Sequence, residues 1–183
     1  MKPELVAEME NKIQEHRKYF ILVNSWHSSD HESYGMWKAY VSSPEGVCIK
    51  TSSERLNRAL SVEADPNLQA KVIAVTYGER VKCEPEYLAH FVRKGKPYTF
   101  EQEVRAIIDL YPIYGLKSEK WESEQFKDLL LDKGLYVKTN IHELIEKVVV
   151  SPFAERWFVS FLRHYLKKCG LSEGLIEESE LQQ

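Results

Sequence analysis

Residues 101–110 read EQEVRAIIDL, and the order of their side chains is the strongest fold signal in the chain. In a β-strand, successive side chains point to opposite faces, so Glu101, Glu103 and Arg105 fall on one face. The run from 102 to 110 is rich in β-branched and aliphatic residues, which favours a strand. The stretch therefore predicts a sheet strand with two carboxylates and a guanidinium on one side.

The rest of the chain predicts strands and helices in mixed order. Apolar and β-branched runs indicate strands at residues 19–25, 46–50, 71–77, 135–138, 147–150 and 175–181. Amphipathic spacing indicates helices at residues 3–19, 32–40, 85–93, 121–131 and 154–168, and one capped by Thr51, Ser52 or Ser53. With no repeat or linker, this order predicts an α+β fold. We expect a single domain over residues 1–183, with a mixed or antiparallel central sheet and flanking helices.

The composition is that of an ordinary globular protein. Hydrophobic residues make up 43% and charged residues 29%, which excludes the disordered and fibrous classes. A net charge of -3 gives no reason to expect strong non-specific attraction to nucleic acid or an anionic membrane, although nucleic acid is left open as a partner. No apolar run approaches the roughly 20 residues that span a bilayer, and the N-terminus lacks the apolar centre of a signal peptide. We expect a cytoplasmic protein without a membrane partner.

The row formed by Glu101, Glu103 and Arg105 is the first candidate for chemistry. Like charges side by side raise the free energy unless a cation, a proton or a ligand compensates them. Such crowding can raise the pKa of one carboxylate into the range useful for general acid or base work. The alternative is a solvent-facing strand on which the arginine offsets two glutamates.

A second candidate is the strand-helix connection that follows residue 25. Trp26 and His27 end the strand, and Trp37 and Tyr40 follow on the next helix. Flat apolar rings with polar tips can wall a pocket, while His27 or Glu32 hydrogen-bonds to a bound ring. The alternative is that these rings are the core face of a helix.

A metal site is not predicted. His27 and His31 have the spacing of a metal pair, but no third ligand is evident. Cys48, Cys83 and Cys169 are widely spaced and form no Cys-x-x-Cys motif.

Other motifs are absent or weak. The chain has no Gly-x-Gly-x-x-Gly, P-loop, Gly-x-Ser-x-Gly or His-Glu-x-x-His sequence, which disfavours several large enzyme classes. Lys94 and Lys96, beside Tyr98, are compatible with phosphate contact, but the pattern favours a solvated charged loop.

Several motifs together resemble a broad, mostly bacterial family known as a domain of unknown function, some of whose members are linked to phage defence. The resemblance covers most of the chain. It is carried by Ser25-Trp26-His27, Met36-Trp37-x-x-Tyr40, Gly46-Val47-Cys48-Ile49, Phe100-Glu101-x-Glu103-x-Arg105 and Val148-x-Val150-x-Pro152-x-Ala154-x-x-Trp157. Members usually carry a longer N-terminal stretch with an Asn-Asp-Pro-like segment, which is absent here.

The chain also bears a more remote likeness to ADP-ribosyltransferases. These enzymes order a first-strand Arg or His, a Ser-Thr-Ser-like strand end and a Glu-x-Glu on a later strand. The counterparts here are His27, the Thr51-Ser52-Ser53 run, and Glu101 with Glu103. The likeness departs from one major class, which has arginine where this chain has His27.

The resemblance implies roles for individual residues. His27 would orient the ribose of NAD, and Glu103 would stabilise the oxocarbenium-like ribosyl cation. Glu101 would position the acceptor nucleophile. Thr51 or Ser52 would support the nicotinamide pocket, and Trp37 or Tyr40 would stack on the nicotinamide. Trp26 and Arg105 are the other candidate cofactor-binding residues.

Three hypotheses for function follow. The first is an NAD-using ADP-ribosyltransferase-like enzyme, a toxin or phage-defence effector that acts on an unknown acceptor and is paired with an antitoxin or other protein partner. The second is a non-catalytic ligand-binding or protein-interaction module. The third is a metal-dependent nuclease or hydrolase that uses Glu101, Glu103 and His27.

Overall fold

A computed structural model describes residues 17, 20–60, 70–78, 86–111 and 136–181. The predicted helices at 3–19 and 121–131 lie outside these ranges, apart from Arg17. The strands are Ile21–His27 (β1), Val47–Lys50 (β2), Lys71–Ala74 (β3), Thr76–Tyr77 (β4), Arg93–Lys94 (β5), Glu103–Asp109 (β6), Lys147–Val150 (β7) and Ile176–Glu178 (β8). The α-helices are Tyr34–Tyr40 (α1), Ser53–Ala59 (α2), Ile141–Leu144 (α3) and Arg156–Lys168 (α4), and 3₁₀ helices cover Glu86–Phe91, Lys96–Glu101 and Glu173–Leu175.

The chain is an α+β protein, as the sequence predicts, and it groups into two compact units. Unit 1 comprises residues 1–27 and 60–138, and unit 2 comprises residues 28–59 and 139–183. Unit 1 contains an antiparallel sheet and unit 2 a mixed one.

The sheet of unit 1 has the strand order β1-β6-β3, with both neighbours antiparallel to β6. The register of β1 against β6 runs from Ile21 opposite Asp109 to His27 opposite Glu103. Ala106, Ile107 and Ile108 are all buried in the central strand. A strand that is buried on both faces has apolar side chains on both sides. This explains why polar and apolar residues no longer alternate towards the C-terminal end of β6.

Two small cores cover the two faces of this sheet. On one face Ile21 and Ile107 pack with Leu88 and Val92, which come from the Glu86–Phe91 segment and the residue after it. The other face has its own core, formed by Phe20, Ala70, Ile108 and Leu110. Because successive side chains alternate, His27, Glu103 and Arg105 share the face of the first core.

The sheet of unit 2 has the order β2-β7-β8, in which β2 is antiparallel and β8 parallel to β7. Helix α4 packs Leu162 and Leu166 against Val148 and Val150. The helix ends at Lys168, and Gly170, two residues later, has a φ of +74° in the left-handed region that favours glycine. This C-terminal stop and the edge strand β8 confirm the sequence prediction for the end of the chain.

Three local predictions are corrected. The segment predicted as a helix at 85–93 is a 3₁₀ helix over Glu86–Phe91, followed by β5. Residues 136–138 form no strand, although 135–138 was predicted as one. Glu101 ends a 3₁₀ helix and is not part of β6. In the described ranges, no helix has the length and apolar character needed to cross a membrane.

Candidate functional site

Glu103, the first residue of β6, is a buried carboxylate held by cations. Only 6% of the residue is exposed. Arg105, two residues along the strand, donates from Nε to Oε1 at 2.7 Å and from Nη2 to Oε2 at 3.0 Å. This two-pronged geometry is the strongest form of arginine-carboxylate pairing. The arginine is itself fixed, because its Nη1 donates to the backbone carbonyl of Phe91.

Lys94 joins the two glutamates. Its ammonium group donates to Glu101 and, at 3.3 Å, to Oε2 of Glu103. The lysine lies on β5, which pairs with the short strand β4. Lys94, Glu101, Glu103 and Arg105 thus form a cluster of two cations and two carboxylates, called the ion cluster below. Lys94 was predicted as part of a solvated loop, and this prediction was wrong.

A backbone turn brings Glu101 into the ion cluster. Glu101 is 7% exposed and lies at the end of the Lys96–Glu101 helix. Gln102 then adopts a left-handed conformation with φ 41° and ψ 51°, after which β6 begins. The two carboxylates were correctly predicted to lie near each other. The expected cause, alternation along one strand, was wrong, because a helix end and a left-handed residue bring them together.

The pKa of Glu103 is lowered from 4.5 to about 2. Burial acts to raise it, but hydrogen bonds from Arg105 and Ser25 and the nearby positive charges outweigh that effect. The pKa of Lys94 is raised, chiefly by its hydrogen bond to Glu101. The sequence-based expectation of a raised carboxylate pKa is therefore wrong for Glu103, which is a permanent anion at neutral pH.

His27 lies directly opposite Glu103 in the antiparallel register. Its Nδ1 is 2.5 Å from the backbone carbonyl oxygen of Glu101. A carbonyl oxygen only accepts, so Nδ1 carries the proton and Nε2 of the neutral ring is an acceptor. Nε2 is buried and has no hydrogen-bond partner in the described part of the chain. The site therefore offers one unused acceptor beside a fixed anion.

Two residues that support the site were not among the predicted site residues. The hydroxyl of Tyr77 accepts a hydrogen bond from the backbone N–H of Glu103 at 2.7 Å. Ser25 hydrogen-bonds to the Glu103 carboxylate and faces Arg105 across the sheet. Side chains alternate along β1, so Ser25 and His27 lie on one face. This alternation could have identified Ser25 as a site residue from the sequence.

An open depression of about 340 Å³ adjoins the ion cluster. Its described lining consists of Gly78, Arg93, Lys94 and Gly95. Two basic side chains and two glycines leave room for an anionic group near the backbone.

Trp26 lies on the other side of the sheet from His27. It faces Val104 in the register, and its indole N–H donates to Asn24. Since neighbouring side chains alternate, Trp26 does not share a face with Glu103.

The remaining predicted cofactor residues belong to unit 2. Trp37 is 6% exposed and donates from its indole nitrogen to Glu32 at 2.9 Å, so it is a core residue of α1. Tyr40 is 66% exposed. Ser52 caps α2, accepting from the N–H of Arg55 at 3.2 Å. The hydroxyl of Thr51 is buried and has no partner among the described residues.

Glu32 proves to be a structural anchor in unit 2. It accepts from the Ser179 hydroxyl and from the N–H of Glu180, each at 2.7 Å, as well as from Trp37. Burial opposes the ionised form, but these hydrogen bonds lower the pKa of the carboxyl group. Because three donors already bond to the Glu32 carboxylate, it has little capacity left to accept a hydrogen bond from a bound ring.

In the described ranges, no group of three or more His, Cys, Asp or Glu side chains is arranged to hold a metal ion. His27 contacts a backbone carbonyl, while His31 contacts Asp30 and Ser29. His27 and His31, which have the sequence spacing of a metal pair, therefore have separate partners.

The chain matches no protein-family model, no curated protein and no solved structure. The likeness to the bacterial family and to ADP-ribosyltransferases thus rests on the sequence motifs alone.

Proposed function

We propose that the chain is an NAD-using enzyme of the ADP-ribosyltransferase kind, with Glu103 and His27 as its central residues. The observation that carries the proposal is the position of His27 directly opposite Glu103 across β1 and β6. A role as a cytoplasmic toxin or phage-defence effector, and membership of the bacterial family, belong to the same proposal and rest on the sequence motifs.

Glu103 serves in this proposal as a fixed anion and not as a proton donor. Because its pKa is about 2, the carboxylate stays ionised throughout the physiological range. When the bond from the ribose C1′ to the nicotinamide nitrogen breaks, its electron pair leaves with neutral nicotinamide and positive charge develops on the ribose. A pre-organised carboxylate stabilises that charge. The acceptor nucleophile then bonds to C1′ and releases its proton towards Glu101.

His27 supplies the binding contact. The contact of Nδ1 with the Glu101 carbonyl fixes the ring and leaves Nε2 as an acceptor. A ribose hydroxyl is a donor that fits this acceptor. The roles that the resemblance gives to Thr51, Ser52 and Tyr40 stay predictions.

Calorimetric titration with NAD, together with an assay of nicotinamide release, tests the proposal. We expect saturable binding, weakened about tenfold in His27→Ala by the loss of one hydrogen bond. Glu103→Gln should reduce nicotinamide release by about 10²- to 10³-fold. Glu54→Gln and His90→Ala, which alter exposed side chains, are the matched controls. No binding at millimolar NAD, or equal turnover by Glu103→Gln, overturns the proposal.

A second candidate is a non-catalytic ligand-binding or interaction module. The observation in its favour is the complete pairing of Glu103: Arg105 holds both oxygens and Lys94 also contacts Oε2. A carboxylate in this state can serve the fold alone. If this module is correct, Glu103→Gln will lower stability while NAD remains without effect on any measured property.

A further inference from the structure

The solvent face of α4 carries a row of exposed aromatic rings. Trp157, Phe161 and Tyr165 are 55%, 53% and 52% exposed. They follow each other at intervals of four residues, so they lie along one side of the helix. The rings of Phe161 and Tyr165 are nearly parallel, with centroids 6.0 Å apart. We call these three residues the aromatic row. Exposed aromatic groups of this size mark interaction sites more often than isolated apolar residues do.

Basic residues flank the aromatic row. The helix sequence RWFVSFLRHYLKK contains no acidic residue, although the whole chain has a net charge of -3. His164 and Lys168 each follow a ring of the row by three positions and therefore lie beside it. The helix carries four permanent cations, namely Arg156, Arg163, Lys167 and Lys168. In the described part of the chain, none of them lies within ion-pair distance of a carboxylate. The surface thus has positive charge to offer an anionic partner.

The aliphatic residues of α4 point the other way. Leu162 and Leu166 are buried in the core of unit 2, and Val159 packs against the same core. Helices that lie in a membrane surface bury a broad apolar face of Trp, Phe and Leu residues in the lipid. Here the only large apolar groups facing solvent are aromatic, and they form a narrow row. A polyanion with flat rings fits this surface better than a lipid does.

We propose that this face of α4 binds single-stranded nucleic acid. Bases stack on Trp157, Phe161 and Tyr165, while the phosphates lie along the basic residues beside them. Stacking on aromatic rings tolerates any base, and the cations attract the backbone without reading sequence. The proposal is independent of the NAD site, since it concerns only residues of unit 2.

Fluorescence anisotropy with labelled oligo(dT) and oligo(rU) of about 20 nucleotides is the direct test. We expect saturable binding at about 50 mM salt and much weaker binding at about 200 mM. Phe161→Ala or Tyr165→Ala should weaken binding about tenfold, the effect of losing one stacked base. Tyr136→Ala removes a fully exposed aromatic ring elsewhere and is the matched control.

The cations are tested separately. Lys168→Gln should reduce the slope of log K against log salt by about 0.7, the value for one phosphate contact on a single strand. Lys71→Gln, an exposed lysine of unit 1, should leave the slope unchanged. If a variant loses affinity equally for oligo(dT) and oligo(rU), the chemistry that the two strands share is recognised. A loss for one strand alone identifies the sugar or the thymine methyl group as a determinant.

Three outcomes overturn the proposal. The first is an absence of binding at low salt. The second is unchanged affinity in the aromatic variants. The third is binding to vesicles containing anionic lipid, with a blue shift of Trp157 fluorescence, in place of binding to either oligonucleotide. Melting curves of each variant test whether the fold is retained.

Discussion

His27 and Glu103 are cross-strand partners, and Nδ1 of the histidine lies 2.5 Å from the carbonyl oxygen of Glu101. The ring is therefore held by the backbone and not by a charged side chain. We predict that the neutral form of the ring carries its proton on Nδ1, because the carbonyl can only accept. Nitrogen chemical shifts from long-range ¹H–¹⁵N NMR spectra distinguish the tautomers. An Nε2–H pattern would contradict the contact.

Removing Arg105 should destabilise the fold strongly. Arg105→Ala leaves the buried Glu103 carboxylate without its main partner, so we expect a loss of about 3–5 kcal/mol in the free energy of unfolding. Arg58→Ala is the control, because Arg58 is about half exposed and its solvent-screened ion pairs with Glu54 and Glu143 should contribute little to stability. Urea denaturation measures both. A similar small loss for the two variants would show that the ion cluster is not structural.

Stability should fall in acid because of Glu103. Its pKa is depressed in the folded state, so its contribution is fully present above the unfolded value of 4.5. That contribution is lost as the pH falls from about 4.5 towards 2. The shift corresponds to about 3 kcal/mol as an upper estimate.

Glu103→Gln should flatten the pH dependence of the free energy of unfolding in this window. Glu54→Gln, which alters an exposed glutamate, should keep it. The comparison requires denaturant titrations at several pH values. An unchanged pH profile in Glu103→Gln would mean that other carboxylates cause the acid sensitivity.

Glu32 should control the attachment of the C-terminal segment. Glu32→Ala removes the acceptors of the Ser179 hydroxyl and the Glu180 N–H. We expect a loss of about 1–3 kcal/mol and faster amide exchange in β8. Hydrogen exchange followed by mass spectrometry reads out that segment directly. Glu45→Ala, at a turn of the same unit, is the control and should leave exchange in β8 unaltered.

The left-handed backbone of Gln102 should restrict what this position accepts. Gln102→Val places a β-branched residue at φ 41° and should cost about 1–2 kcal/mol. Gln102→Gly should be nearly neutral, because relief of strain is offset by greater freedom of the unfolded chain. Thermal unfolding of both variants tests whether valine lowers the stability more than glycine does. If valine is tolerated as well as glycine, the turn has a different conformation in solution.

Local patterns predicted much of the fold. Apolar and β-branched runs located β1, β3, β6 and β7. Helix α4 and its stop before Gly170 followed from amphipathic spacing and a glycine signal. These elements are visible in sequence because each depends on its own residues and on burial of one face.

The candidate site was predicted less well, because its chemistry depends on tertiary contacts. His27 and Glu103 were named from short motifs, and the register places them together. Lys94 was read as a solvated residue, since nothing in a local window shows that β5 delivers it to Glu101 and Glu103. The pKa of one carboxylate was expected to rise, and for Glu103 this was wrong, partly because the contact with Lys94 could not be seen in the sequence.

The ion cluster is also local in sequence, and this has a consequence for the order of folding. Lys94, Glu101, Glu103 and Arg105 all lie between residues 94 and 105, so their pairing requires only a short loop to close. Ser25 and His27 arrive from β1, far away along the chain. Short loops close in well under a microsecond, whereas distant strands must search longer. We therefore expect the charges to meet while still hydrated, and the docking of β1 to remove their water in a later, slower step.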